Sequence, residues 1–133
     1  MVSLITQGIR VSVSPHFVGR SKLDEDLVYA FRYRIQIENL SATLVRLESR
    51  FWNIYDVLSP VYTVEGPGVV GQHPVLNSGE IYRYESGCYL KGEVGSMSGF
   101  YIFQTLNNKS DLEIERIRVD IPSFQLVTPA SQN

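Results

Sequence analysis

Cysteine is nearly absent from this chain of 133 residues: Cys88 stands alone. A single thiol cannot close an intramolecular disulfide, so a disulfide-stapled secreted fold is excluded. Histidine is almost as scarce, with only His16 and His73, which leaves few ways to assemble a metal cluster or a Ser-His-acid triad. Long hydrophobic runs are missing too. No segment approaches the ~18 apolar residues that a membrane-spanning helix needs. The opening MVSLITQGIR has no charged n-region, and Thr6 and Gln7 break its apolar stretch, so it does not read as a signal peptide. An excess of one charge sign is also lacking. Twelve basic residues face fourteen acidic ones, a formal net charge of −2. They are scattered rather than gathered into the basic stripe that displaces counterions from nucleic acid. The expected setting is the cytoplasm, with neither nucleic acid nor a membrane as partner.

What is present suits one globular domain spanning residues 1–133, since 44% of the chain is hydrophobic and 20% charged. Helical spacing is hard to find, whereas period-two alternation recurs. In Tyr29 to Glu38 one row holds Tyr29, Phe31, Tyr33, Ile35 and Ile37, and the other holds Arg32, Arg34, Gln36 and Glu38. An aromatic and β-branched row of that kind fits a pleated surface. Further strands are expected at Ile9–Ser14, Leu44–Tyr55, Val61–Val64, Ile81–Glu85, Phe100–Thr105 and Ile114–Ile121. Leu44–Tyr55 carries apolar residues on both parities around Phe51, Trp52 and Ile54, which predicts either two covered faces or a bulge. The last strand shifts phase, which places a bulge near Glu115-Arg116. Turn signals fall at Asn39-Leu40-Ser41, Ser59-Pro60, Gly66-Pro67-Gly68, Asn77-Ser78-Gly79, Lys91-Gly92 and Asn107-Asn108. About seven strands separated in this way predict an all-β, antiparallel β-sandwich, with an up-and-down barrel as the rival. Phe31, Tyr33, Ile35, Trp52, Tyr84 and Phe103 are expected in its core. The loop Gly19–Asp26 and the tail after Pro129 are expected to be flexible.

Eight of the ten glycines and the one cysteine lie between Glu65 and Tyr101. Several motifs there and around it occur in a fixed order: Phe31 to Asn39, Leu47-Glu48-Ser49-Arg50-Phe51-Trp52, Gly66 to Pro74, Tyr84 to Cys88, Gly95 to Tyr101, and Ile121-Pro122-Ser123-Phe124. Together they resemble the ApaG family from about Ile9 to Pro129. One departure is visible at Val57-Leu58-Ser59-Pro60, where the family usually has a polar turn with glycine. The resemblance implies an immunoglobulin- or fibronectin type III-like sandwich. It also implies an association with cobalt resistance and magnesium efflux, and gene neighbours that act on diadenosine tetraphosphate. The related domain at the end of F-box proteins and of a polymerase-interacting protein looks like a protein-binding module.

Gly66-x-Gly68-x-x-Gly71 invites a pyrophosphate reading, yet Pro74 and Gly79 follow at once and leave no room for the helix that mechanism requires. A glycine-shaped turn is the expected outcome. A looser anion site remains open, with the backbone of Gly66, Gly68 and Gly71 forming a nest and Arg50 or Arg83 nearby. A charge at Arg50 within an apolar strand should be partnered by Glu48, by Glu85 or by a bound anion. In Gly95-Ser96-Met97-Ser98-Gly99 the nucleophile's place is held by Met97, so a hairpin loop is expected rather than an elbow. Cys88 reads as a small apolar filler and His73 as a loop residue with a satisfied ring nitrogen. Asp24-Glu25-Asp26 is the best oxygen cluster for a hard cation, but adjacent acids rarely converge on one ion, and a solvated loop is expected. Arg32 and Arg34 read as solvated or cross-strand paired. The chain is thus expected to be a non-enzymatic binding module without cofactor or metal, acting on an unidentified protein partner. The alternative is a phosphate- or pyrophosphate-binding protein in dinucleotide metabolism.

Overall fold

The computed structural model describes residues 1–106 and 115–132. Nine strands form two antiparallel sheets: β1 (Val2–Thr6), β2 (Ile9–Leu23), β3 (Asp26–Asn39), β4 (Leu44–Asp56), β5 (Ser59–Pro67), β6 (Val75–Leu76), β7 (Ile81–Leu90), β8 (Val94–Leu106) and β9 (Arg116–Val127). The first sheet has the order β1-β2-β3-β7. The second runs β5-β4-β8-β9, with the short β6 also paired to β4. The two sheets face each other as a β-sandwich. On one side β1 and β2 meet β9; on the other, β5 and β7 are the edges.

The core follows from strand parity. Val11 and Val13 of β2, Phe31, Tyr33, Ile35 and Ile37 of β3, and Trp52 and Ile54 of β4 are buried, as are Tyr101 and Phe103 of β8. Tyr33, Trp52 and Phe124 form an aromatic triangle with centroid separations of 5.5, 5.6 and 5.9 Å. Five of the six expected core residues are buried. Tyr84, on an edge strand, is packed against the core but only partly covered.

Bulges explain the broken patterns. In β4 the buried positions pass from Val45 and Leu47 to Trp52 and Ile54 because Glu48 is an extra residue opposite β8. Phe51, left on the outer face, stacks on Phe100 at 5.0 Å, and the Arg118 guanidinium lies 4.0 Å above the Phe100 ring. The bulge expected near Glu115-Arg116 rests on Leu112 and Ile114, which lie outside the described residues. Within the described part of β9 a bulge occurs at Pro122-Ser123, which together oppose Ser98, so that Val119 and Ile121 hand over to Phe124 and Leu126. Proline lacks the ladder donor and fits such a bulge. The turn expected at Asn107-Asn108 also lies outside the described residues.

Other expectations need correction. Gly19–Asp26 is not a loop: β2 runs to Leu23, and Asp24-Glu25 form the hairpin turn with φ of 51° and 71°. Gln7-Gly8 and Val70-Gly71 show the same pair of positive φ values. This primed turn geometry matches the twist of paired strands and so extends hairpins where composition suggested loops. The Gly95–Gly99 segment is likewise not a hairpin loop but part of β8. A Cβ on Gly99 would overlap the Phe51 carbonyl oxygen across the ladder, and glycine permits the close approach. Val57-Leu58, in contrast, turn without positive φ, and Pro60-Val61 bulge against Tyr55 to restore register. The Asp56 carboxylate holds this turn to the β7–β8 turn, accepting from Leu58 N at 3.1 Å, Lys91 N at 2.7 Å and Gly92 N at 3.0 Å. The tail from Pro129 to Gln132 forms a 3-10 helix. At the crossing between sheets the buried Asn39 donates to Thr43 O at 2.8 Å and Leu76 O at 3.0 Å. Its Oδ1 accepts from Ser41 N at 3.0 Å and Ser41 Oγ at 2.6 Å.

Candidate functional site

The glycine motif closes the space between β5 and β6. Gly66 pairs with Arg50 at the end of β5. Gly68 then turns the chain inward with φ 62°, its N–H donating to Glu48 O at 2.9 Å. Val69 and Gln72 exchange N–H to carbonyl bonds of 2.9 and 2.8 Å around Val70-Gly71, and the Val69 side chain is buried in the core. A Cβ on Gly68 would overlap the Gln72 carbonyl oxygen. The motif therefore shapes a tight turn.

Arg50 does come together with this turn. Its Nη1 donates to Pro67 O at 2.9 Å and Gly68 O at 3.0 Å. An atom placed at the Gly66 Cβ position would lie 3.2 Å from that nitrogen. The expected carboxylate partners are engaged elsewhere. Glu48 accepts from Arg116 at 2.9 and 3.2 Å, and Glu85 from Arg32 and Arg34. Backbone carbonyls thus take the part foreseen for an acid or an anion. The N–H groups of Gly68, Val69 and Gln72 are spent on the turn itself, which removes three donors from a nest. Gly71 has its φ at 75° for the turn and open space at its Cβ position.

Arg50 shares the inward parity of Trp52 and Ile54, and its charge acts on Tyr33, Tyr84 and Tyr101. These three tyrosines, from β3, β7 and β8, bring buried or half-buried hydroxyls towards Arg50. The Tyr84 and Tyr101 hydroxyls hydrogen-bond to each other. Burial pushes all three phenols upward, most strongly Tyr101. Sequence reading missed this cluster. Its signal was tyrosines on the inward parity of three strands, hidden because the parity of β4 and β8 changes at bulges. Cys88 lies nearby, half-buried, its Sγ 3.8 Å from Met97 Sδ, and burial followed by the charge of Asp56 pushes the thiol up to about 12. Such a thiol is protonated at neutral pH and is a poor nucleophile. His73 Nδ1 lies 3.1 Å from Leu47 O, to which it donates as the Nδ1–H tautomer. Asp24 and Glu25 are turn residues, and no group of three or more metal-ligating side chains occurs among the described residues.

These shifts set an alkaline limit. Tyr33, Tyr84, Tyr101 and Cys88 keep protons in the folded state that the unfolded chain releases near pH 9 to 10, so stability is full below that range and falls above it. Each fully shifted group contributes up to about 1.4 kcal/mol per pH unit there. Urea titrations should give a flat unfolding free energy from about pH 7 to 8.5 and a loss of more than about 2 kcal/mol per unit above pH 10. An unchanged midpoint at pH 11 would refute the buried tyrosine cluster.

The geometry has known counterparts. A family model described as the ApaG domain matches residues 20–105. Over 129 residues the chain is 43% identical to Protein ApaG of Rhizobium leguminosarum bv. trifolii, covering 97% of this chain and 95% of the relative. It is 41% identical to Protein ApaG of Brucella anthropi with the same coverages. Among solved structures, a Bordetella pertussis protein described under the name ApaA superposes with a TM-score of 0.79 at 35% identity, covering 91% of this chain and 94% of that one. A structural-genomics target superposes with a TM-score of 0.81 at 34% identity, covering 92% and 88%. The sandwich fold is therefore shared with these solved structures, and the chain belongs to the ApaG family.

Proposed function

We propose that this ApaG domain is a non-enzymatic binding module that engages a protein partner in the cytoplasm. The observation that carries the reading is the β4–β5 hairpin. Val57, Leu58, Val61 and Tyr62 are exposed there, Leu58 at 69% and Val61 at 54%, at a sheet edge whose strand, among the described residues, pairs only with β4. Pro60 and its bulge blunt the start of that edge against strand addition, so the exposed apolar side chains themselves are the docking surface. The non-enzymatic reading is supported by the protonated, half-buried Cys88 and by His73, whose ring is tied to a main-chain carbonyl. The link to cobalt and magnesium handling rests on the ApaG resemblance alone.

Leu58→Lys with Val61→Lys should leave the fold intact, since both side chains face water. The tagged double variant should lose a protein that the parent chain retains. In cells lacking the gene it should also fail to restore cobalt tolerance that the parent restores. Retention of the same protein by the variant, with tolerance restored, would end this reading.

The second reading, a phosphate or pyrophosphate site in dinucleotide metabolism, draws on Arg50 lying beside Gly66 and Gly68. It has less support, because carbonyl oxygens face the guanidinium and three of the turn's N–H groups already donate. Calorimetry with adenine nucleotides, with and without Mg²⁺, on the parent and on Arg50→Gln separates the two: heat lost in Arg50→Gln favours this reading, and heat that is absent or indifferent to Arg50 favours the module. Gly68→Val is unsuitable as a control, because its Cβ would collide with the turn.

A further inference from the structure

Strand alternation gathers charge on the outer face of the first sheet. Cross-strand rows place Ser12, Gln36 and Arg83 side by side, and next to them Ser14, Arg34 and Glu85. Arg10 with Glu38, and Arg32, flank these rows. Four arginines against two glutamates leave this face two positive charges in excess, in a chain whose formal net charge is −2. The pairing is uneven as well. Arg10 bonds Glu38 at 2.9 Å, but Arg32 and Arg34 share the single carboxylate of Glu85, the latter at 3.1 Å. Those two guanidinium groups, Arg32 first, hold the Glu85 carboxyl below its usual range, so it stays ionised and keeps both arginines in place. Among the described residues Arg83 has a neutral partner alone, its Nε donating to Gln36 Oε1 at 3.1 Å.

A groove of about 360 Å³ runs over these rows, its polar lining Ser12, Ser14, Arg34, Gln36, Arg83 and Glu85, with Met1, Ile35 and Tyr84 supplying the rest. Its floor is fixed: Ser12 is buried and its hydroxyl bonds that of Ser3 at 2.7 Å. Two guanidinium groups flanking hydroxyl and amide groups in a volume of that size match a small dianion, because a phosphoryl group accepts from all of these donors at once.

We propose that this groove binds a soluble phosphorylated small molecule, its phosphoryl oxygens held between Arg34 and Arg83 with Ser14 and Gln36 completing the donors. The site lies on a different surface from the Gly66–Gly71 turn and does not depend on the partner reading above. The test is titration of the ¹⁵N-labelled full chain with sodium pyrophosphate at low ionic strength, with sodium chloride as the blank. Saturable shifts are expected at Ser12, Ser14, Gln36 and Arg83. Arg34→Gln and Arg83→Gln should each weaken binding by about tenfold or more, the value of a charge-assisted bond. Arg83→Lys should recover part of the loss, and the exposed Arg20→Gln should change nothing. Both losing variants sit on the surface, and an unshifted thermal midpoint checks their folding. The proposal fails if no saturable shift appears at millimolar pyrophosphate. It also fails if the shifts map to Gly66–Gly71, or if Arg34→Gln with Arg83→Gln binds as the parent does. Retention on anionic lipid vesicles without a response to soluble pyrophosphate would overturn it too.

Discussion

Trp52→Ala should lower the unfolding free energy by about 3–5 kcal/mol, the range for truncating a large buried aromatic. The indole is 3% exposed, and its neighbours Tyr33 and Phe124 come from both sheets, so it joins the two halves of the sandwich. Removing it leaves a cavity that neither sheet can fill, because both backbones are fixed by their own ladders. Chemical denaturation followed by circular dichroism measures the loss. A change below about 1 kcal/mol would mean that the site collapses or that the indole is not in the core.

Asn39→Leu should cost about 2–3 kcal/mol although it keeps the branching of the side chain, because a buried polar group left without its partner costs about 1–3 kcal/mol. Leu76 O would lose the Asn39 amide donor, Thr43 O would keep only the 3.2 Å bond from Ser41 Oγ, and Ser41 would lose the Asn39 acceptor. The penalty should be local before it is global. The amides of Gly79 and Leu47, which bond Asn39 O and Pro74 O, should exchange faster in the variant. A stability within 1 kcal/mol of the parent, with exchange unchanged, would show that water replaces the amide without cost.

How legible each element was depended on whether its signal was local. The row Phe31-Tyr33-Ile35-Ile37 announces itself, because a residue's face on a strand is fixed by parity. The turn at Asn39 was readable for the same reason, since its side chain closes on residues within four positions. Bulges were readable in kind at β4 but not at Pro122-Ser123 of β9, because one inserted residue inverts every later parity and the sequence does not mark which residue is inserted. β1 escaped notice because five residues carry too little alternation. The Asp24-Glu25 turn looked like a loop because nothing in its composition reveals the positive φ imposed by the paired strands.

The sequence by itself determined the strand class, most of the core, the glycine-shaped turn and membership of the ApaG family. These follow from period, turn chemistry and ordered motifs. Only the tertiary structure decided where charges find partners. Arg50 faces two carbonyls rather than Glu48 or Glu85, and Tyr33, Tyr84 and Tyr101 converge from three strands. Four arginines share one face with two glutamates. Pairing of that kind joins residues tens of positions apart through strand register, and register is set by how two sheets close on one core.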